Sequence, residues 1–432
     1  MRAAVLLASA ALALALPLSA SATTLAEAIA TARANNPDLR AAMARTEAAD
    51  ARLRAAKGAR LPTISLTGEY LSGRNDLGGF FGFGASDVDP RAVRLEMTQP
   101  LFAGGGIAAG VDQARAGQEA ARAQGRQAEL DLEVSVARAF VAVRAAEAFL
   151  TASRGQVAAF EEWTRQAGLR FQAGGIPKSD LELAIAHLAE ARAGEARAQS
   201  GYETARAQYT ALVGVEPVEL SAATDGGTTL TLDEALARAE ANSPMLEAAE
   251  AGVRAAIAVE RAAAAQGLPS FALTARTEQM RDQFFPGYRS DAVSVGVQGR
   301  WTLFAGGRVQ AARSEASAAR RVAEAQRDTA RAALKAQVIN AWSELHAIRL
   351  AADAARDQSV AATSAVDSLR NEVRVGQRPM VDLLDAQRDL LAATARRLAT
   401  EGDLVVAARR VAVLTGGPTG QATGDLTAAQ PG

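Results

Sequence analysis

From Leu25 to Ala59 the apolar positions recur at helical spacing. Thr24 is placed to cap the start, and the run breaks at Asn35, Asn36 and Pro37, where Asn36 can cap a second segment opening on the proline. After Pro62 the period changes to two. Ile64, Leu66 and Tyr70 lie opposite Thr63, Ser65, Thr67 and Glu69, and after a long loop over Ser72 to Pro90 a return strand from Ala92 to Phe102 sets Val93, Leu95, Met97 and Leu101 against Arg94, Glu96 and Thr98. A proline-free helical run then extends from Gly106 to Phe171, on the order of 100 Å long at 1.5 Å per residue. Two stripes mark it, one through Leu130, Val134, Ala137 and Val141 and the other through Leu132, Val136, Ala139 and Val143. They stand about 200° apart, so this helix has neighbours on both sides, as the staves of a wall do.

The whole pattern is written twice. Leu101, Phe102, Ala103, Gly104 and Gly105 return as Leu303, Phe304, Ala305, Gly306 and Gly307, and Thr24, Pro37 and Pro62 return as Thr231, Pro244 and Pro269. The second hairpin, 270–304, sets Phe271, Leu273 and Ala275 against Ser270, Thr274 and Arg276, then Val293, Val295, Val297, Trp301 and Leu303 against Ser294, Gln298, Arg300 and Thr302. These properties divide the chain into a first repeat over 23–214 (hairpin 63–102, long helix 106–171, helix 179–212), a linker over 215–230, and a second repeat over 231–416 (hairpin 270–304, long helix 309–373, helix 381–414). Residues 417–432 lack an apolar period and are expected to be disordered. In each repeat the glycine pair, Gly104 with Gly105 and Gly306 with Gly307, forms the joint at which a strand turns into a long helix.

Four strands of about membrane-spanning length, apolar on one face and polar on the other, fit a transmembrane barrel, with Tyr70, Phe102, Trp301 and Phe304 near strand ends as an aromatic girdle. Four cannot close one, because the smallest such barrels have about eight strands and lipid tolerates no open edge. Two chains would give an interior packed by side chains; three would give twelve strands and room for water, and the polar faces favour three.

Composition adds the address. Residues 1–22 carry Arg2, an Ala/Leu/Val stretch and the small-residue site Ala20, Ser21, Ala22, the pattern of a cleaved secretory signal peptide. The mature chain is therefore expected outside the inner membrane. With no cysteine among 432 residues it has neither disulfides nor a lipid-bearing Cys, and no later apolar run reaches the roughly 18 to 20 residues of a membrane helix. Aromatics at 4% and abundant alanine suit thin helix-on-helix contacts, and a net charge of −1 gives no reason for a nucleic-acid partner.

Signal peptide, duplicated helix/hairpin/helix/turn/helix units, the Leu-Phe-Ala-Gly-Gly joint and the Gly-x-x-Pro-x-x-Asp turns at Gly174, Pro177, Asp180 and at Gly376, Pro379, Asp382 together resemble the TolC-like outer-membrane efflux and secretion channels over nearly all of 23–416. The resemblance implies a mainly α fold with a transmembrane β part, assembled as a homotrimer whose twelve-stranded barrel in outer-membrane lipid continues into a long periplasmic tunnel of helices. It also implies partners at the far tip: a periplasmic adaptor and an inner-membrane transporter, either ATP-driven or proton-driven. By the same match the two tip turns, with Gly174, Pro177, Gly376 and Pro379, dock the adaptor. Asp382 and Asp385 line the periplasmic constriction, and Arg378 with Ser179 and Asp180 latches it. Where many relatives place a tyrosine in this latch, the chain has Val373. Asp180 and Asp382 also follow turns, where Asp commonly caps a helix.

Enzymatic signatures are weak. Gly104, Gly106 and Ala109 imitate a dinucleotide fingerprint, but the following helix is more than twice too long and copy two has Gly306, Arg308 and Ala311 instead. His187 and His346 lack the paired spacing of metal ligands, so no metal, cofactor or catalytic residue is expected. The rival reading is a soluble periplasmic adaptor or scaffold built from coiled coils with small β modules.

Overall fold

The computed structural model describes residues 22–76, 78–79, 84–224 and 230–416. The expected signal peptide, apart from Ala22, and the tail 417–432 lie outside them.

In the first repeat α1 (Leu25–Asn35) and α2 (Pro37–Gly58) lead into β1 (Thr63–Tyr70), β2 (Gly73–Asn75), β3 (Ser86–Val88) and β4 (Arg91–Ala103), then α3 (Gly106–Gln172) and α4 (Lys178–Val213). The second runs α5 (Leu232–Asn242), α6 (Pro244–Ala265), β5 (Ser270–Arg281), β6 (Arg289–Arg300), α7 (Arg308–Arg374) and α8 (Met380–Leu414). Both long helices have 67 residues. Thr24 and Thr231 each accept from the backbone N–H three residues on, while Glu27 and Glu234 reach back to the cap's own N–H. Those backbone bonds hold both carboxyl groups below the usual carboxylate range. The boxes therefore contribute above the unfolded carboxylate pKa, and their contribution is lost as pH falls through the lowered one.

Two features depart from the sequence pattern. The loop over 72–90 contains a small antiparallel ribbon, β2 with β3. Its Asn75 Nδ2 donates to the Phe284 carbonyl at 3.1 Å, tying the loops of both hairpins together. β6 stops at Arg300, so Trp301 and Leu303 do not extend the strand; the Trp301 indole instead donates to the Gly267 carbonyl at 3.2 Å, bracing the turn into the next helix. The linker also folds back on the start of the chain, with Thr23 N–H donating to Glu219 O at 2.7 Å and Ser221 N–H to Thr23 O at 3.0 Å.

The helices pack as the alanine content requires. On α4 the buried positions Ala184, Ala191, Ala198 and Ala205 fall at strict seven-residue intervals, a seam on which a neighbouring helix approaches closely. Both stripes of α3 are engaged: Leu132, Val136, Phe140, Val141 and Val143 join Ile29 and Leu39 from the short helices, Tyr209 and Val213 from α4, and Val405 from α8. One charge is buried in this wall. Glu133 on α3 is 1% exposed and pairs with Arg33 of α1, while Arg409 of α8 stands 3.9 Å from its other oxygen. The end-to-end stacking of short helices is fixed by Asn36, whose amide donates to the Leu212 carbonyl at the end of α4 at 3.2 Å.

At the joints Gly104 and Gly306 have φ of 59° and 58°, a left-handed conformation that favours glycine. They differ in surroundings. A Cβ on Gly104 would meet Leu268, three residues past α6, at 2.7 Å and the carbonyl of Ala265, the last residue of α6, at 2.8 Å, whereas one on Gly306 would meet nothing within 4 Å in its own chain.

Candidate functional site: channel wall and helical tip

The long strands form one antiparallel sheet in the order β1-β4-β5-β6. Its register sorts the side chains onto two faces. Ile64, Met97, Ala275 and Val295 occupy one rung of the apolar face, with Leu66, Leu95, Thr277 and Val293 in the next. Phe102 and Phe271, ring centroids 6.4 Å apart, stand at the end nearest the helices. The opposite face carries charges in register: Thr67, Arg94, Glu278 and Ala292 in one rung, Ser65, Glu96, Arg276 and Ser294 in the next. Arg94 Nε donates to Glu278 at 2.9 Å and Arg276 to Glu96 at 3.1 Å, so arginine and glutamate alternate across β4 and β5 in both directions. Among the described residues both edge strands, β1 and β6, lack a second neighbour. No helix among the described residues is long and apolar enough to cross a membrane. The continuous apolar face of the sheet is itself of the kind that transmembrane strands turn to lipid.

About 100 Å away, at the far ends of the long helices, are the two tip turns. They are built alike. Gly174 and Gly376 take φ of 73° and 77°, and Gly175 N–H and Gln377 N–H bond back to Arg170 O and Glu372 O at 2.8 and 2.9 Å. Pro177 and Pro379 are the N-caps of α4 and α8, with no side-chain capping bond. Asp180 and Asp382 thus sit in the first helical turn without capping it, where a negative charge still favours the helix dipole. Arg378 turns back on its own segment, 3.2 Å from Asp382 and 3.6 Å from Glu372. Ser179 Oγ donates to Asp180 at 3.4 Å. Asp385 is 3.8 Å from Arg388, which also reaches Glu190 of α4 at 3.5 Å. Within one chain, therefore, Arg378 joins Asp382, and Arg388 spans α8 to α4, a link the sequence pattern did not single out.

Beneath the turns is an apolar cluster of Val157, Phe160, Trp163, Ala191, Val366, Val373, Leu383 and Leu384 from all four helices. Val373 is buried within it, a packing position rather than a surface one. His187 is half-buried and stacks on Phe160 with ring centroids 6.2 Å apart, a packing residue, whereas His346 is exposed on the helix surface and stacks on Trp342 at 5.8 Å.

A sheet with one apolar and one charged face, open at both edges and continuous with rods about 100 Å long, is a segment of the wall of a channel that crosses a membrane on strands and leaves it on helices. Residues 28–215 and 235–417 match the outer membrane efflux protein family, and the chain belongs to it. Outer membrane efflux protein BepC of Brucella suis is 29% identical over 413 residues, 95% of this chain and 87% of BepC. Protein CyaE of Bordetella pertussis is likewise 29% identical, over 87% of this chain and 80% of CyaE. Among solved structures, the outer membrane protein VceC of Vibrio cholerae superposes with a TM-score of 0.77 at 20% identity, covering 91% of this chain and 96% of VceC. The chain is an outer-membrane efflux channel subunit and not a soluble adaptor. The family consists of channels rather than enzymes.

Proposed function

We propose that three copies of this chain close into a twelve-stranded barrel and a helical tunnel, a passive duct gated at its tip and opened when an adaptor and an inner-membrane transporter dock there. The observation that carries it is a mismatch between the repeats. Within the chain β4 pairs with β5, and α3 packs against α6 and α8. The counterparts by internal symmetry would be β6 with β1, and α7 with α2 and α4, and the chain makes no comparable packing there. Those same three helices expose Met43 on α2, Leu183 and Ile185 on α4, and Val322, Leu350 and Val360 on α7. Gly306, open within its own chain, corresponds to Gly104, which is packed against α6. A neighbouring copy supplies each missing partner, and closure of six such repeats removes both sheet edges. The detergent-purified channel is expected to have three times the subunit mass. A lone subunit, or a pair without conductance, would overturn this assembly.

At the tip, threefold repetition brings Asp382 and Asp385 into rings of carboxylates that draw cations into the constriction. Arg378 and the Ser179–Asp180 pair hold the turns in the closed arrangement, and Gly174, Pro177, Gly376 and Pro379 shape the surface the adaptor meets. In a planar bilayer, Asp382→Ala with Asp385→Ala lowers cation preference, and Arg378→Ser raises resting conductance because it frees Asp382 and Glu372. Unchanged selectivity would remove the aspartates from the constriction, and unchanged conductance would make Arg378 a surface residue of the turn.

A further inference from the structure

At the loop end of the sheet, one rung on the lipid-facing side reads Tyr70, Arg91, Arg281 and Arg289 across β1, β4, β5 and β6. Three arginines in adjacent strands would repel one another on an uncharged surface, and lipid hydrocarbon would make them costly. Their height explains them. Along β5 the rung lies ten residues beyond Phe271, in the aromatic row at the helical end. That is about 33 Å of strand, or about 23 Å along the membrane normal at a tilt of about 45°, close to the ~25 Å apolar band of an outer-membrane barrel. The rungs between are apolar apart from Thr277, Gln99, Gln279 and Asp291, and the last two adjoin the arginines. The arginine rung thus stands at the headgroup level of the leaflet facing away from the periplasm.

The rung is also ordered and under-compensated. Arg91 lies over the Tyr70 ring, 5.6 Å from its centroid. Arg281 is held by the Met280 and Ser290 carbonyls at 2.8 and 3.3 Å and by Asp291 at 2.9 Å. Among the described residues no carboxylate pairs with Arg91 or Arg289, so two of the three guanidinium groups keep their donors for a ligand. We propose that this rung is a binding site for phosphate-bearing lipid headgroups of the outer leaflet, with Arg91 and Arg289 gripping phosphate oxygens and Arg281 fixing the spacing between them. Guanidinium suits the task because its planar fork meets phosphate two bonds at a time and it stays charged at an interface. The proposal rests on the outer-membrane address of the family and not on the gate or on the number of subunits.

The test uses the intact detergent-solubilised channel and three probes: diphosphoryl lipid A, the same lipid stripped of its phosphates, and inorganic phosphate as competitor. Wild-type protein is expected to bind the phosphorylated lipid at least about tenfold more tightly than the stripped one, with millimolar inorganic phosphate failing to displace it. Arg91→Gln with Arg289→Gln is expected to erase that preference, a loss of roughly 30-fold at low salt, while Arg91→Lys with Arg289→Lys retains part of it. Equal wild-type affinity for the two lipids would overturn the proposal whether or not any variant assembles. Undiminished preference in the glutamine variant would do the same, and displacement by inorganic phosphate would make the rung a free-anion site and refute the lipid assignment.

Discussion

Val295→Arg abolishes the outer-membrane form of this protein, whereas Ala292→Arg on the same strand leaves it intact. Val295 shares its rung with Ile64, Met97 and Ala275 in the middle of the apolar face. An arginine near the bilayer midplane of such a barrel costs about 2–4 kcal/mol, and the cost recurs in every copy around the ring. Ala292 belongs to the other face, directly across from Glu278. The same added charge there faces water and a carboxylate. Comparing the two variants in membrane fractions holds the strand and the introduced side chain constant, and the two positions, three residues apart, face opposite sides of the sheet. Equal recovery of both in the outer membrane would mean that the face assigned to lipid is not lipid-facing.

Arg33→Met lowers the stability of the helical wall by about 3 kcal/mol, and adding Glu133→Leu restores most of it. Glu133 is almost fully enclosed among α1, α3 and α8, and its near partner is Arg33; Arg409 is at 3.9 Å from the second oxygen. Removing the near cation leaves a carboxylate out of water with one distant counter-charge, and breaking a buried pair in this way typically costs about 3–5 kcal/mol. We place the loss at the low end because Arg33 itself is 38% exposed and Arg409 remains. Replacing both members by apolar side chains of similar volume removes the stranded charge, and such exchanges are often neutral. Heat unfolding followed by helical circular dichroism measures both. A double variant no more stable than Arg33→Met alone would show that the single loss came from packing and not from charge.

Much of the fold was legible because two different periods are written plainly and written twice. The alternation around Ile64 and Leu66, and again around Val293 and Val295, reports a sheet with one apolar face, and the stripes on α3 report a helix with neighbours on both sides. The order of strands was not legible in the same way. Nothing local states that β4 and β5 are neighbours, so the alternation of Arg94 and Glu96 with Glu278 and Arg276 could be seen only once the register was known. The same holds for Glu133, whose sequence neighbours resemble any amphipathic helix and whose partners lie 100 positions before and 276 after it. A clue existed: internal symmetry places Lys335 where the first repeat has Glu133, a reversal of charge inside an otherwise faithful copy. At the tip, the turns were legible through Gly174, Pro177, Gly376 and Pro379, whereas the bridge from Arg388 to Glu190 depends on how α8 lies against α4.

The unequal repeats have a genetic consequence. Because each subunit of the proposed threefold ring completes one seam alone and half of two others, a faulty copy spoils not only itself but the seams of both neighbours. With three subunits to a ring, a cell making a mixture of sound and faulty subunits keeps working ducts only in proportion to the cube of the sound fraction, so lesions at these seams behave as dominant, and those confined to the β4–β5 seam that stop the subunit from folding behave as recessive.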